Sequence, residues 1–143
     1  MRRVSIIIAV CVVLALGIGI MGQGRAFPDI MKEISPLWGS PQAPGLNAAI
    51  NSATPDYAKI EADAMKMQSL YTEVEGQFTK MKMTEAAGLA KAAADAAGAV
   101  AKEAKSGKIA DAKAATTSIG QCKNCHSKYR DGNPQTGYKV KMQ

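Results

Sequence analysis

The chain has little of what builds dense cores or dense metal sites. Of its 143 residues 5% are aromatic: Trp38, Phe27, Phe78 and four tyrosines. Three cysteines, Cys11, Cys122 and Cys125, are too few for a disulfide-stapled mini-protein. The one histidine, His126, stands beside two of them with no fourth ligand nearby, short of the usual four-ligand zinc site. No run alternates apolar and polar residues as a half-buried strand does. Alanine, by contrast, is abundant after residue 85. Few aromatics and many alanines make a thin core, with space for something else to fill.

Residues 1–26 read as a separate segment. Arg2 and Arg3 precede an apolar and small-residue run from Val4 to Gly22, in which Ser5 is the one polar member. Gly24-Arg25-Ala26 then offers a small-x-small cleavage site before Phe27. This is the pattern of a secretory signal peptide. A run of this length also approaches the ~20 residues of a membrane span, so an uncleaved N-terminal anchor is the second reading. In both, Arg2 and Arg3 hold the start of the chain in the cytoplasm and everything after residue 26 is exported, to the periplasm. Cys11 lies inside the run, without a lipoprotein cleavage box, and reads as small apolar filler.

The full chain carries 18 basic and 12 acidic residues. Setting aside 1–26 removes Arg2, Arg3 and Arg25 and leaves a net charge of +3. With lysines scattered among Glu and Asp, this reads as a solvated mixed-charge surface and not as a nucleic-acid footprint.

The remainder reads as helices. From Tyr57 to Phe78 the apolar positions are Tyr57, Ile60, Ala64, Met67, Tyr71, Val74 and Phe78, spaced three and four apart as a bundle seam requires, with Leu70 widening the stripe. Thr54 is the candidate cap, with Pro55 at the first helical position. A second helix spans about Thr84 to Lys105, with Leu89, Ala93, Ala96 and Val100 inward and Gly107 as its left-handed terminator. A third runs from about Lys108 to Arg130, turning Ile109, Ala112, Thr116, Ile119, Cys122, Cys125, His126 and Tyr129 inward, and stops at Asp131-Gly132-Asn133-Pro134. A short helix through Ile30, Met31 and Ile34 is interrupted by Pro36, Pro41 and Pro44 and resumes at Leu46–Ile50. The predicted class is all-α: an antiparallel four-helix bundle over residues 27–132 with its first helix interrupted by prolines, followed by a loose tail at 133–143.

The chemistry lies in Cys122-Lys123-Asn124-Cys125-His126. Cys-x-x-Cys-His is the attachment signature of c-type haem. Two thiols must reach two vinyl groups on one edge of a porphyrin, and the histidine must reach the iron from one side. Helical offsets of three and four put Cys122, Cys125 and His126 on one face, which is also the predicted inner face. Export fits covalent haem attachment, which takes place outside the cytoplasm. The rivals are a redox dithiol, which ordinarily opens a helix within a βαβ unit that this chain lacks, an incomplete metal site, and a structural disulfide.

Haem attachment near the C-terminus, on the last helix of a bundle, resembles the class II c-type cytochromes: cytochrome c′ and its low-spin relatives. The resemblance is strongest over Cys122-Lys123-Asn124-Cys125-His126-Ser127-Lys128-Tyr129-Arg130 and extends to the seam at 57–78 and the alanine-rich helix. It implies one haem c, with Cys122 and Cys125 as thioethers and His126 as the proximal iron ligand. It also implies Arg130 near the haem edge or a propionate. With His126 spent, a second histidine ligand is impossible. Low-spin members take a methionine on the first helix, often followed by lysine, and Met31-Lys32 looks like that pair. The family's first helix is usually unbroken, which the 36–44 prolines depart from.

The expectation is an exported carrier of single electrons between redox proteins, with His126 and Met31 on the iron and no enzymatic acid–base pair or nucleophile. Its partners are redox proteins, among them a membrane electron-transfer complex if residues 4–22 tether it. A homodimer is a family-derived alternative. A five-coordinate haem binding nitric oxide or carbon monoxide is one alternative function. A haem-free thiol–disulfide exchanger is another.

Overall fold

The computed structural model describes residues 25–39, 44–120, 122–133 and 137–141. The apolar run at 4–22, Cys11 and Pro41 lie outside them. The described chain is mostly helical. Its elements are α1 (Phe27–Trp38), α2 (Leu46–Ile50), α3 (Tyr57–Lys80), α4 (Thr84–Lys105), α5 (Ile109–Gly120), α6 (Cys122–Tyr129), β1 (Arg130–Asn133) and β2 (Gly137–Val140). No helix among the described residues is long and apolar enough to cross a membrane.

The spine is α3. Its cap is Asp56 and not Thr54: the Asp56 carboxylate accepts the Lys59 N–H at 3.0 Å, so Pro55 falls before the helix. Ile60, Ala64, Met67, Leu70, Tyr71, Val74 and Phe78 are buried, as their spacing requires. Tyr57 is the exception at 38% exposure. As the first helical residue it leans back toward the N-terminus, past the end of the core.

A three-residue turn, Met81 to Met83, leads into α4, which packs along α3 as an antiparallel hairpin. The alanines of α4 make this close approach possible. Ala86, Ala93, Ala97 and Ala104 are buried with Val100, while Leu89 is only half-buried. At Gly98 an added Cβ would stand 2.6 Å from the Gln68 side chain. Gly107 ends the α4 turn at φ 72°, with the Lys108 N–H bonded to the Glu103 carbonyl at 2.9 Å, a left-handed cap that glycine adopts freely.

Against α3 lies α1, with Ile30 and Ile34 buried. Pro36 does not end it. The helix continues to Trp38 and closes at Gly39, whose N–H bonds the Ser35 carbonyl at 3.0 Å. One turn of helix resumes at α2, where Leu46 and Ile50 are buried.

The segment predicted as one helix from 108 to 130 is helical on both sides of residue 121, which lies outside the described residues: α5 before it and α6 after it both pack on α4. Within α5 the Thr116 hydroxyl donates back to the Lys113 carbonyl at 2.6 Å. The tail is not loose at 137–140. There β2 pairs antiparallel with β1, Arg130 opposite Val140 and Asp131 opposite Lys139, and the Lys141 N–H bonds the Tyr129 carbonyl at 2.8 Å. Val140 is half-buried against the core. Tyr138-Lys139-Val140-Lys141-Met142 does alternate, but over too short a run beside a partner strand, Arg130-Asp131-Gly132-Asn133, that has no such pattern.

Candidate functional site

The two thiols stand one turn apart at the start of α6, both free and both half-buried against the core. The Tyr71 hydroxyl of α3 and the Cys122 sulfur share a hydrogen bond at 3.4 Å. Burial pushes the Cys122 thiol above its ordinary value, partly opposed by that bond. Burial, and then the neighbouring Cys122, push Cys125 up to about 11. Burial and the Cys122 sulfur likewise hold Tyr71 above its ordinary range. Both sulfurs are therefore neutral thiols at physiological pH.

His126 is exposed and so does not lie on the inner face with the cysteines. Each helical residue turns ~100°, so Cys122, Cys125 and Tyr129 cluster on the packed side while His126 falls at its edge. Solvent reaches the ring, yet partial desolvation, and then the Arg130 guanidinium, hold the imidazole below its usual value. Arg130 itself is exposed and opens β1.

Phe78 is almost fully buried and joins three elements. Its ring lies 5.0 Å from Phe27 of α1 and 6.3 Å from Tyr129 of α6. The seam spacing places Phe78 inward, but no local pattern reveals this junction, which three separate helices create. The paired contacts also orient the helices. Phe27 meets Phe78 while Glu33 pairs with Lys66 at 3.7 Å, so α1 runs antiparallel to α3. Tyr71 meets Cys122 and Phe78 meets Tyr129, so α6 runs parallel to α3. With α1 and α6 antiparallel, Met31 stands one turn above Phe27 and His126 three residues before Tyr129. At ~1.5 Å of rise per residue they lie ~6 Å and ~4.5 Å above the aromatic junction, at nearly one level. Met31 is half-buried and packed on the core, on the face it shares with Phe27. Between them α1 makes no extended contact with α5 or α6.

Among the described residues no three His, Cys, Asp or Glu side chains gather closely enough to hold a metal ion by themselves. Cys122, Cys125 and His126 are thus two side-by-side thiols and an imidazole at the rim, not a tripod. Compared with protein-family models, with curated proteins and with solved structures, the chain matches none.

Proposed function

We propose that the chain is an exported one-electron carrier, a class II c-type cytochrome in which Cys122 and Cys125 hold one haem by thioether bonds. His126 is its proximal ligand and Met31 its sixth. The observation that carries the reading is the common level of Met31 and His126 on antiparallel helices, above a shared aromatic junction and beside two neutral thiols. The donor set fits the group: two sulfurs one turn apart, an imidazole next to them, and a thioether across from it.

When bound, the haem supplies a one-electron iron couple, and an imidazole and a thioether on that iron favour a change of charge with little rearrangement. The chain's residues do the rest. The alanine face of α4 excludes water without crowding a flat apolar body. Tyr71 presents its hydroxyl at the attachment edge. The aromatic junction fixes how far α1 and α6 slide past each other. In this reading α1, α3, α4 and the α5–α6 pair are the four members of an up-down-up-down bundle, to which the observed directions of α1, α3 and α6 conform.

The thiol-exchange alternative is disfavoured by the same site. Catalytic thiols are lowered and exposed, whereas Cys122 and Cys125 are raised and half-buried. The test begins with a haem stain after denaturing electrophoresis of the exported protein. The stain survives in the wild type and is lost in Cys122→Ala/Cys125→Ala; its absence from the wild type ends the proposal. The oxidised spectrum then shows the methionine-to-iron charge-transfer band, which Met31→Ala removes. A five-coordinate spectrum in the wild type supports the gas-binding alternative instead.

A further inference from the structure

Sequence reading takes the lysines as scattered among carboxylates. The structure sorts them. Residues 25–121 carry eleven basic and eleven acidic side chains and are neutral as a body. Residues 122–141 carry five basic side chains, Lys123, Lys128, Arg130, Lys139 and Lys141, against the single acid Asp131. The whole net charge of the chain from Arg25 to Lys141 therefore sits on α6 and the β1–β2 hairpin.

All five cations are exposed. Lys123 and Lys128 stand on two flanks of α6, Lys128 on the one that meets Glu85 of α4. Lys139 and Lys141 alternate with Val140, which packs on the core, so they face outward from the hairpin. The Tyr129–Lys141 backbone bond ties this hairpin to the end of α6 and makes the two one surface. Neutralisation within it is partial. Lys128 pairs with Glu85 of α4 at 2.5 Å and Lys139 stands opposite Asp131 in the ladder, while Lys123 and Lys141 have no carboxylate within ion-pair distance among the described residues.

We infer that α6 and the β1–β2 hairpin form a basic docking face for an acidic protein surface. That the acidic partner is a redox protein rests on the electron-carrier reading above: the segment that holds both thiols is the segment that carries the charge, so a partner steered there arrives beside the electron. Two other anions fit less well. A membrane-surface helix needs bulky apolar side chains beside its cations. The large hydrophobics exposed among the described residues, Tyr57 and Met65, are both on α3. Nucleic acid would meet Glu85 and Asp131 within the patch and only five cations.

The probe is a deca-aspartate peptide, titrated at low salt into the purified exported protein and followed by amide chemical shifts. Shifts are expected over 122–141 and not over α3 or α4. Lys139→Gln/Lys141→Gln weakens binding by about fivefold, and the control Lys102→Gln/Lys105→Gln, with the same loss of charge on α4, changes it by less than about 1.5-fold. Equal loss in both pairs means that net charge alone is sensed and overturns the inference. So does tighter binding to phosphatidylserine-containing vesicles or to duplex DNA than to the peptide. The carrier reading is separated by a second arm: the rate of oxidation by anionic hexacyanoferrate(III) falls with added salt, and falls less in the hairpin pair. A protein without haem that still maps the peptide to 122–141 refutes the carrier and keeps the docking face. A haem protein that maps it elsewhere does the reverse.

Discussion

Replacing Phe78 by alanine tests the junction on which the site geometry depends. The ring is 1% exposed and touches Phe27 on one side and Tyr129 on the other. Burying an aromatic side chain removes ~150–250 Å² from water, and Phe→Ala changes in cores cost ~3–5 kcal/mol. Two tilted aromatic contacts are lost together, so we expect the upper part of that range, about 4 kcal/mol. At ~4 °C per kcal/mol for a domain of this size, Tm falls by about 16 °C. Urea unfolding of the purified protein measures the free energy, and Phe78→Leu, which refills most of the volume, loses about 1 kcal/mol. Under the proposed His126/Met31 ligation, the methionine charge-transfer band, recorded well below the new Tm, weakens in Phe78→Ala because α1 and α6 lose their common reference. A destabilisation below about 1 kcal/mol refutes the packed junction. A full loss of stability with the band unchanged refutes the claim that the junction sets the level of Met31.

Two glycines give opposite results. Gly45→Ala destabilises by about 2 kcal/mol, since its Cβ would lie 2.4 to 2.6 Å from backbone atoms of Pro36, Leu37 and Gly39; a calorimetric Tm within a degree of wild type contradicts this. Gly98→Ala is neutral or stabilises by about 0.5 kcal/mol, because the atoms its Cβ meets belong to the flexible Gln68 side chain and alanine favours the helix interior. The haem-free protein loses stability as pH rises from about 9 toward about 11. There the unfolded thiols ionise while folded Cys125 keeps its proton up to about 11 and Cys122 is raised in the same direction, so the unfolded state binds fewer protons across that window. Urea unfolding at the two ends of the window shows a smaller drop in Cys122→Ser/Cys125→Ser, and an equal drop in that variant rejects the thiol assignment. Glu85→Gln changes stability by less than about 0.5 kcal/mol, since its pair with Lys128 is exposed.

What the sequence reveals depends on whether one segment alone determines the outcome. The α3 stripe is legible because large apolar residues three and four apart leave one choice of inner face. The end of α4 is legible because Ser106-Gly107 allows a single cheap turn. The cap of α3 is ambiguous by itself: Thr54 and Asp56 both precede the apolar run, and only the backbone shows which oxygen reaches an amide. The β1–β2 hairpin escapes because Arg130-Asp131-Gly132-Asn133 has no strand preference, and what pairs it is a second segment four to ten residues further on. His126 belongs to the same class of miss. Helical offsets of three and four bring it near Cys122 and Cys125, but the packed face of α6 is set by Tyr129 on Phe78, and that contact turns the imidazole to the rim. The chemical motif is thus written in five consecutive residues, while the orientation that would let it meet Met31 is written in Phe27, Phe78 and Tyr129, three side chains that no local pattern joins. Those three explain how a thin, alanine-rich core can hold His126 and Met31, the two ligands of the proposed function, in register. The alanines leave the space, and the aromatics, few as they are, stand where the helices must not slip.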